Sequence, residues 1–208
     1  EMDQIKAEFV ASTEMAVRAG FDMIELHAAH GYLVSSFISP TSNQRKDEYG
    51  GSLENRMRLA VETAREVRAA WPEDKPLFAR LSCLDGAEGG WDMEDTVALA
   101  EALKEVGVDV VDCSSGGNML HGATNSNLTR GPAYQAHFAK RLREETGIMT
   151  QAVGLIRTPE LAEQLLAEGQ ADLIAIGRQA LFNPYWAHHA AEKLGVTDWD
   201  TWPGPYAW

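Results

Sequence analysis

Hydrophobic positions along the chain fall into two rhythms. Five short apolar runs, FDMIEL (21–26), LFARLSC (77–83), VDVVDCS (108–114), MTQAVGLI (149–156) and DLIAIG (172–177), are near-continuous rather than alternating. That pattern suits strands of a parallel sheet covered on both faces. Helical spacing separates them. A first helix from about Met2 to Ala19 places Ile5, Phe9, Ala16 and Val17 toward one side and stops at Gly20. Ser52 can cap a second helix carrying Leu53, Leu59, Ala60 and Val67, and Asp92 a third that ends at Gly107. Thr158-Pro159 and Asn183-Pro184 both read as a cap followed by proline at the first helical position.

One helix followed by five strand-helix repeats predicts an α/β fold, with right-handed crossovers curving it into an open sheet or a barrel. The chemistry favours the barrel. Polar and ionisable residues, His27, Arg80, Ser114 and Gly177, gather past the C-terminal ends of the predicted strands, where barrel enzymes carry their sites. A closed (β/α)8 barrel needs eight strands and five are readable. The expectation is therefore a TIM (β/α)8 barrel of which residues 1–208 supply roughly strands four to eight as a single domain. The stretch SPTSNQRKDEYGGSLENR reads as a loop between the first strand and its helix, folded by ion pairs and turns of Arg45, Asp47, Tyr49 and Arg56.

Composition narrows the partners. Across 208 residues, 45% hydrophobic and 24% charged, 18 Lys and Arg stand against 31 Asp and Glu, a formal charge of -13. Such a balance argues against nucleic acid or an anionic membrane as the main partner, so any anion must be held locally. No run is long enough for a membrane span, and EMDQIKAEF lacks the basic start and apolar stretch of a secretion signal. Cys83 and Cys113 have no disulfide-framework spacing and read as small buried residues of a protein in a reducing cytoplasm.

Within IELHAAHGYL, His27 and His30 stand three apart and Tyr32 follows. The pair could hold a metal, although no third ligand is evident nearby. It could be satisfied near a strand end. Or it could donate two hydrogen bonds to one substrate oxygen that gains negative charge, each worth roughly 3 kcal/mol when preorganised, with Tyr32 as a nearby proton donor. Arg80 lies in an otherwise apolar run and needs a partner or a ligand. Gly154 and the Gly177-Arg178 pair follow apolar runs, and Gly177-Arg178 also precedes a helix, as phosphate-binding turns do. His188 and His189 read as facing solvent or a subunit partner.

The stretch AGFDMIELHAAHGYL, continuing through FISPTSNQRKDEYGGSLENRMR, closely resembles the signature of the Old Yellow Enzyme family of FMN-dependent ene-reductases. FARLS, VDVVDCSSGG, QAVGLIRTPELAE and ADLIAIGRQALFNP match in order. A histidine at the second position of the pair resembles the bacterial xenobiotic-reductase branch. The resemblance implies FMN at a barrel mouth, reduced by NADPH or NADH and reoxidised by an activated alkene. His27 and His30 would bind the acceptor's carbonyl or nitro oxygen. Tyr32 would protonate the α-carbon, since a phenol with the usual pKa of about 10 is an acid at neutral pH. Arg80 would lie along the flavin's pyrimidine edge, and Gly154, Gly177 and Arg178 would hold its phosphate. In relatives the C-terminal tail approaches the neighbouring subunit's site, which points to a homo-oligomer with Tyr206 or Trp208 of WDTWPGPYAW at that wall.

The family's first three strands have no counterpart here, and a five-stranded piece leaves two open edges. The expectation is a partner polypeptide that supplies them. Other readings stay open: a flavin-free, phosphate-binding aldolase or isomerase, or an inert piece that only contributes strands.

Overall fold

The computed structural model describes residues 1–118 and 128–196. The aromatic tail, with Trp199, Trp202, Tyr206 and Trp208, lies outside the described residues. The elements run α1 (Met2–Ala19), β1 (Ile24–Ala28), α2 (Leu33–Ile38), α3 (Leu53–Ala70), β2 (Leu77–Ser82), α4 (Met93–Glu105), β3 (Val110–Ser114), α5 (Ala136–Thr146), β4 (Met149–Val153), α6 (Pro159–Ala167), β5 (Leu173–Ala175), α7 (Arg178–Phe182) and α8 (Trp186–Lys193).

All neighbouring strands pair in parallel, in the order β1-β2-β3-β4-β5. A doubly wound sheet reverses its strand order at a switch point. This one never reverses, as an arc of a barrel must not. Alternate residues point to opposite faces, and the two faces differ in chemistry. Ala79, Leu81, Val111, Cys113 and Ala152 are buried on one face, in the same core cluster as Ala64, Val67, Leu99, Leu103, Phe138 and Leu142 of the covering helices. The helices pack side by side in the order α1-α3-α4-α5. The other face carries Glu25, His27, Arg80, Asp112 and Gln151, and on it Met149 and Leu173 remain 49% and 36% exposed.

Local signals explain several boundaries. Gly20 adopts the left-handed conformation that ends α1, with φ 77°. Ser52, Asp92 and Thr158 each accept a hydrogen bond from the backbone N–H three residues on, satisfying one orphan donor of α3, α4 and α6. Asn183, expected to open a helix with Pro184, instead closes α7, and α8 starts at Trp186. Its side chain bonds His189 Nδ1 and not a first-turn N–H. In α1 the buried stripe includes Lys6 and Thr13 while Val17 is exposed. Lys6 tolerates burial because Glu62 lies 2.9 Å away on α3 and Asp3 at 3.1 Å.

The strand ends differ from the apolar runs strand by strand. β1 begins at Ile24 rather than Phe21 and continues through His27 to Ala28, so His27 and Arg80 lie within their strands and not past them. At β1 the inner position His27 is polar, so the apolar run stops at Leu26 while the strand continues to Ala28, whereas β4 and β5 stop at Val153 and Ala175, short of the ends of their runs. The loop after α2 folds largely as its composition implies. Arg45 pairs with Asp47, Arg56 donates to the carbonyls of Ile38 and Gly51, and the Tyr49 hydroxyl donates to Glu62.

Candidate active site

Register alone assembles a polar row across four strands. His27 is level with Arg80, Arg80 with Asp112, and Asp112 with Gln151. Arg80 Nε donates to Ser114 Oγ at 3.0 Å and stands 3.2 Å from Asp112 Oδ1. Because that N–H is directed at Ser114, Oδ1 gains the charge of Arg80 without a formed hydrogen bond. Gln151 Nε2 donates to the other oxygen, Oδ2, at 2.7 Å. Asp112 is 2% exposed, and burial pushes its carboxyl above the usual range against the opposing pull of Arg80. The arginine expected to need a partner therefore has one, and it also lines the cleft described below.

Just past β1 the chain turns sharply. His30 has φ 63°, a left-handed conformation uncommon for a residue with a Cβ, and Gly31 follows with φ 77°. Ser82 Oγ accepts the His30 N–H at 2.9 Å and donates to the Gly116 carbonyl at 2.6 Å. The turn after β3 presses on this corner from the other side. A Cβ on Gly117 would come within 2.2 Å of His30 Cα, and one on Gly31 within 2.4 Å of the Gly117 carbonyl oxygen. Asn118 adds hydrogen bonds to Ser35 Oγ at 3.1 Å and to the buried Asp85 at 2.9 Å.

These constraints bring His27, His30 and Tyr32 together. Ring centroids lie 5.5 Å apart for His27 and His30, and 5.1 Å apart for His27 and Tyr32. Tyr32 is 63% exposed. Desolvation, then the charge of Arg80, holds the His27 imidazole below its ordinary value; the same causes, with His27 added, push His30 down to about 4. Both rings are thus neutral at pH 7, each with one N–H to donate. Among the described residues no group of three or more His, Cys, Asp or Glu is arranged to hold a metal.

A cleft of about 600 Å³ opens beside this cluster, and His30, Arg80, Gly154, Gly177 and Arg178 are among the residues that line it. Gly154 has φ 125°, and a Cβ there would meet the Tyr134 ring at 2.8 Å. An added Cβ on Gly177 would meet nothing within 4 Å, so the backbone at the start of α7 is bare toward the open cleft. The first N–H groups of a helix have no partner within it. With the Arg178 guanidinium they make a donor set that fits a phosphate group.

Sequence reasoning named His27, His30, Tyr32, Arg80, Gly154, Gly177 and Arg178. Of these, His30, Arg80, Gly154, Gly177 and Arg178 line the one cleft, and His27 and Tyr32 stand beside His30. It did not name Ser82, Asp112 and Gln151, which hold the site from neighbouring strands, or Gly117 in the turn after β3. The SSGG run contained a hint, since two glycines after a buried strand suggest close backbone approach. Cys83 and Cys113 are fully buried, and no described helix is long and apolar enough to cross a membrane.

The chain has relatives among known proteins. The chain is 47% identical over 189 residues to the NADPH dehydrogenase of Bacillus subtilis (strain 168), covering 91% of this chain and 54% of that one, so it spans about half the length of that relative. Among solved structures, a 2-naphthoyl-CoA reductase complex superposes with TM-score 0.85 at 26% identity, covering 93% of this chain and 29% of that one. An Old Yellow Enzyme homologue from Zymomonas mobilis gives 0.75 at 26% identity, with 95% and 54% covered. These superpositions and the unreversed strand order agree on a TIM-barrel arc. Residues 1–196 match the family model itself. This chain therefore belongs to the NADH:flavin oxidoreductase / NADH oxidase family, a membership that implies FMN as cofactor and NADPH or NADH as reductant.

Proposed function

We propose that this chain carries the acceptor-binding and flavin-phosphate face of an FMN-dependent ene-reductase acting on activated alkenes of the enone, maleimide or nitroalkene type. The observation that carries the reading is the juxtaposition of two imidazoles and an exposed phenol with the cleft that Gly154, Gly177 and Arg178 line. Those three residues would hold the FMN phosphate, with Arg80 beside the ring. When bound, FMN would supply the hydride chemistry that links NADPH or NADH to the β-carbon of the acceptor.

The protein's own groups do the rest. His27 and His30 donate hydrogen bonds to the carbonyl or nitro oxygen, which becomes more negative as the β-carbon accepts hydride; each donor contributes about 3 kcal/mol if held in place before reaction. Their neutrality suits this task. Desolvation, then the charge of Arg80, holds both below their usual range. Tyr32 completes the addition by giving its hydroxyl proton to the α-carbon, and its exposure lets solvent restore that proton. Asp112, itself bonded by Gln151, keeps Arg80 in position from the neighbouring strand.

The inner face of the sheet, with Met149 and Leu173 exposed and β1 and β5 at open edges, supports completion by further barrel strands, whichever polypeptide carries them. An assembly of complete barrels, a cytoplasmic location and a contribution of the tail to a neighbouring site belong to the same proposal.

The experiment is a two-stage reaction with the complete, flavin-loaded enzyme. NADPH is expected to bleach the flavin absorbance, and cyclohexenone or a maleimide to restore it. Tyr32→Phe should slow the second stage by about 10²-fold, the lower end for a lost general acid, and leave the first nearly intact. Reduced enzyme that passes hydride to none of these acceptors would refute the reading.

A further inference from the structure

The flavin-phosphate seat does not exhaust the positive charge of the cleft. Arg130, from the β3–α5 loop, and Arg157, from the β4–α6 loop, also line it. Arg56, Arg68, Arg141 and Arg143 are each ion-paired to a carboxylate. Arg130, Arg157 and Arg178 are exposed and have no ion-pair or side-chain hydrogen-bond partner among the described residues. In a chain with 31 acidic and 18 basic residues, three unpaired guanidiniums opening on one cleft need an explanation. Arg178 with the backbone of α7 accounts for one phosphate. Two cations remain.

Their loops are fastened together. Gln135 Nε2 donates to the Val153 carbonyl at 3.0 Å, Gln135 Oε1 accepts from Ser115 at 2.6 Å, and Tyr134 packs where a side chain on Gly154 would stand. Trp186 of α8 donates its indole N–H to the Arg157 carbonyl at 3.0 Å, and Ile156 beside it is buried. Two exposed side chains are thus presented from anchored backbone at the same cleft. Arg178 stands beside the bare backbone of Gly177 and suits a resident phosphate, whereas Arg130 and Arg157 come from two other loops and are left for a second anion. The net charge of -13 sharpens the point, because a polyanionic dinucleotide approaching this chain is repelled unless cations near the mouth focus it locally.

We propose that Arg130 and Arg157 form a second anion site in the cleft, which binds the phosphates of the exchanging nicotinamide dinucleotide separately from the seat of the flavin phosphate. The assignment of the ligand rests on the flavin-reductase reading above; the anion site rests on the arginines. Each guanidinium-phosphate contact is a charge-assisted hydrogen bond, so losing one costs about tenfold in affinity.

The test uses the flavin-loaded enzyme with adenosine 2′,5′-bisphosphate as probe, adenosine as the uncharged control, and Arg130→Gln, Arg157→Gln and the double variant. The expected result is a bisphosphate Kd raised about tenfold by each substitution, a shallower salt dependence, and unchanged affinity for FMN and adenosine. The KM for NADPH should rise with kcat held. Unchanged bisphosphate binding overturns the proposal. So does release of FMN, which would assign both arginines to the flavin, and so does weakening confined to a carboxylate-bearing acceptor. If the wild type binds the bisphosphate but NADPH leaves its flavin oxidised, the ligand assignment and the flavin-reductase reading fall together. Normal flavin reduction with no effect of the substitutions overturns the anion site alone.

Discussion

The backbone N–H of His30 donates to Ser82 Oγ at 2.9 Å, so a residue at the mouth end of β2 fixes the turn that follows β1. The left-handed His30 conformation costs on the order of 1–3 kcal/mol and persists because this bond and the onward bond from Ser82 to the Gly116 carbonyl determine it from both sides. Ser82→Ala would leave a partly buried N–H and a carbonyl unpaired. The expected loss is about 1–3 kcal/mol by urea denaturation, with Ser82→Thr, which keeps the hydroxyl, recovering most of it. An alanine variant as stable as the parent would mean the serine does not hold the turn.

Gly117 meets the same corner without a side chain. Its φ of 121° and the 2.2 Å approach to His30 Cα both forbid a Cβ. Gly51 is a useful control, since its φ is 82° but nothing lies within 4 Å of an added Cβ. Gly51→Ala should therefore cost only backbone strain, about 1 kcal/mol, while Gly117→Ala should cost upwards of 3 kcal/mol because backbone must move. Thermal melts of the two variants side by side decide it: equal losses would show that the contact is not tight.

What the sequence made legible follows from how far each signal reaches. The five strands were visible because their core-facing positions, such as Ala79, Leu81, Val111 and Cys113, keep the runs apolar. The caps Ser52, Asp92 and Thr158 act over three residues and were equally readable. Asn183 misled because a cap residue before proline is also a turn signal, and here its amide bonds His189. His27, His30 and Tyr32 were found through a motif. The pairings that hold them were not, since Ser82 meets His30 across 52 positions and Gln151 meets Asp112 across 39. Those depend on strand register, which a one-residue slip would abolish.

Two groups on the inner face give stability opposite pH dependences. His30, with its pKa about 4 in the fold against 6.5 unfolded, binds fewer protons when folded, so its contribution is present above pH 6.5 and is lost as pH falls toward 4. Glu25 is the reverse. Desolvation among the inner-face groups, then the charge of Asp112, pushes its carboxyl from 4.5 up to about 7, so its contribution is present below 4.5 and lost as pH rises through 7. Solvent reaches Glu25, so the effect is moderate. Between pH 4.5 and 6.5 the two slopes oppose each other. Glu25→Gln should leave the histidine term alone, giving a variant whose melting temperature exceeds that of the parent by a margin that grows up to about pH 7 and then levels. A constant margin across that range would contradict the assignment.

Asp112 separates charge from hydrogen bonding. Burial works against its ionised form while Arg80 at 3.2 Å favours it, and Gln151 donates to Oδ2 at 2.7 Å. Asp112→Asn keeps an acceptor for Gln151 and removes a charge that is costly to bury, so its stability at pH 7 should lie within about 1 kcal/mol of the parent. Asp112→Ala removes the acceptor as well and leaves Gln151 and Arg80 facing a void. Arg80 is 30% exposed, so water takes up part of its loss, and the expected cost is about 1–3 kcal/mol. Denaturant melts of both variants distinguish the cases. If asparagine proved as damaging as alanine, the ion pair itself, rather than the hydrogen-bonded row from β2 to β4, would be what keeps Arg80 at the cleft.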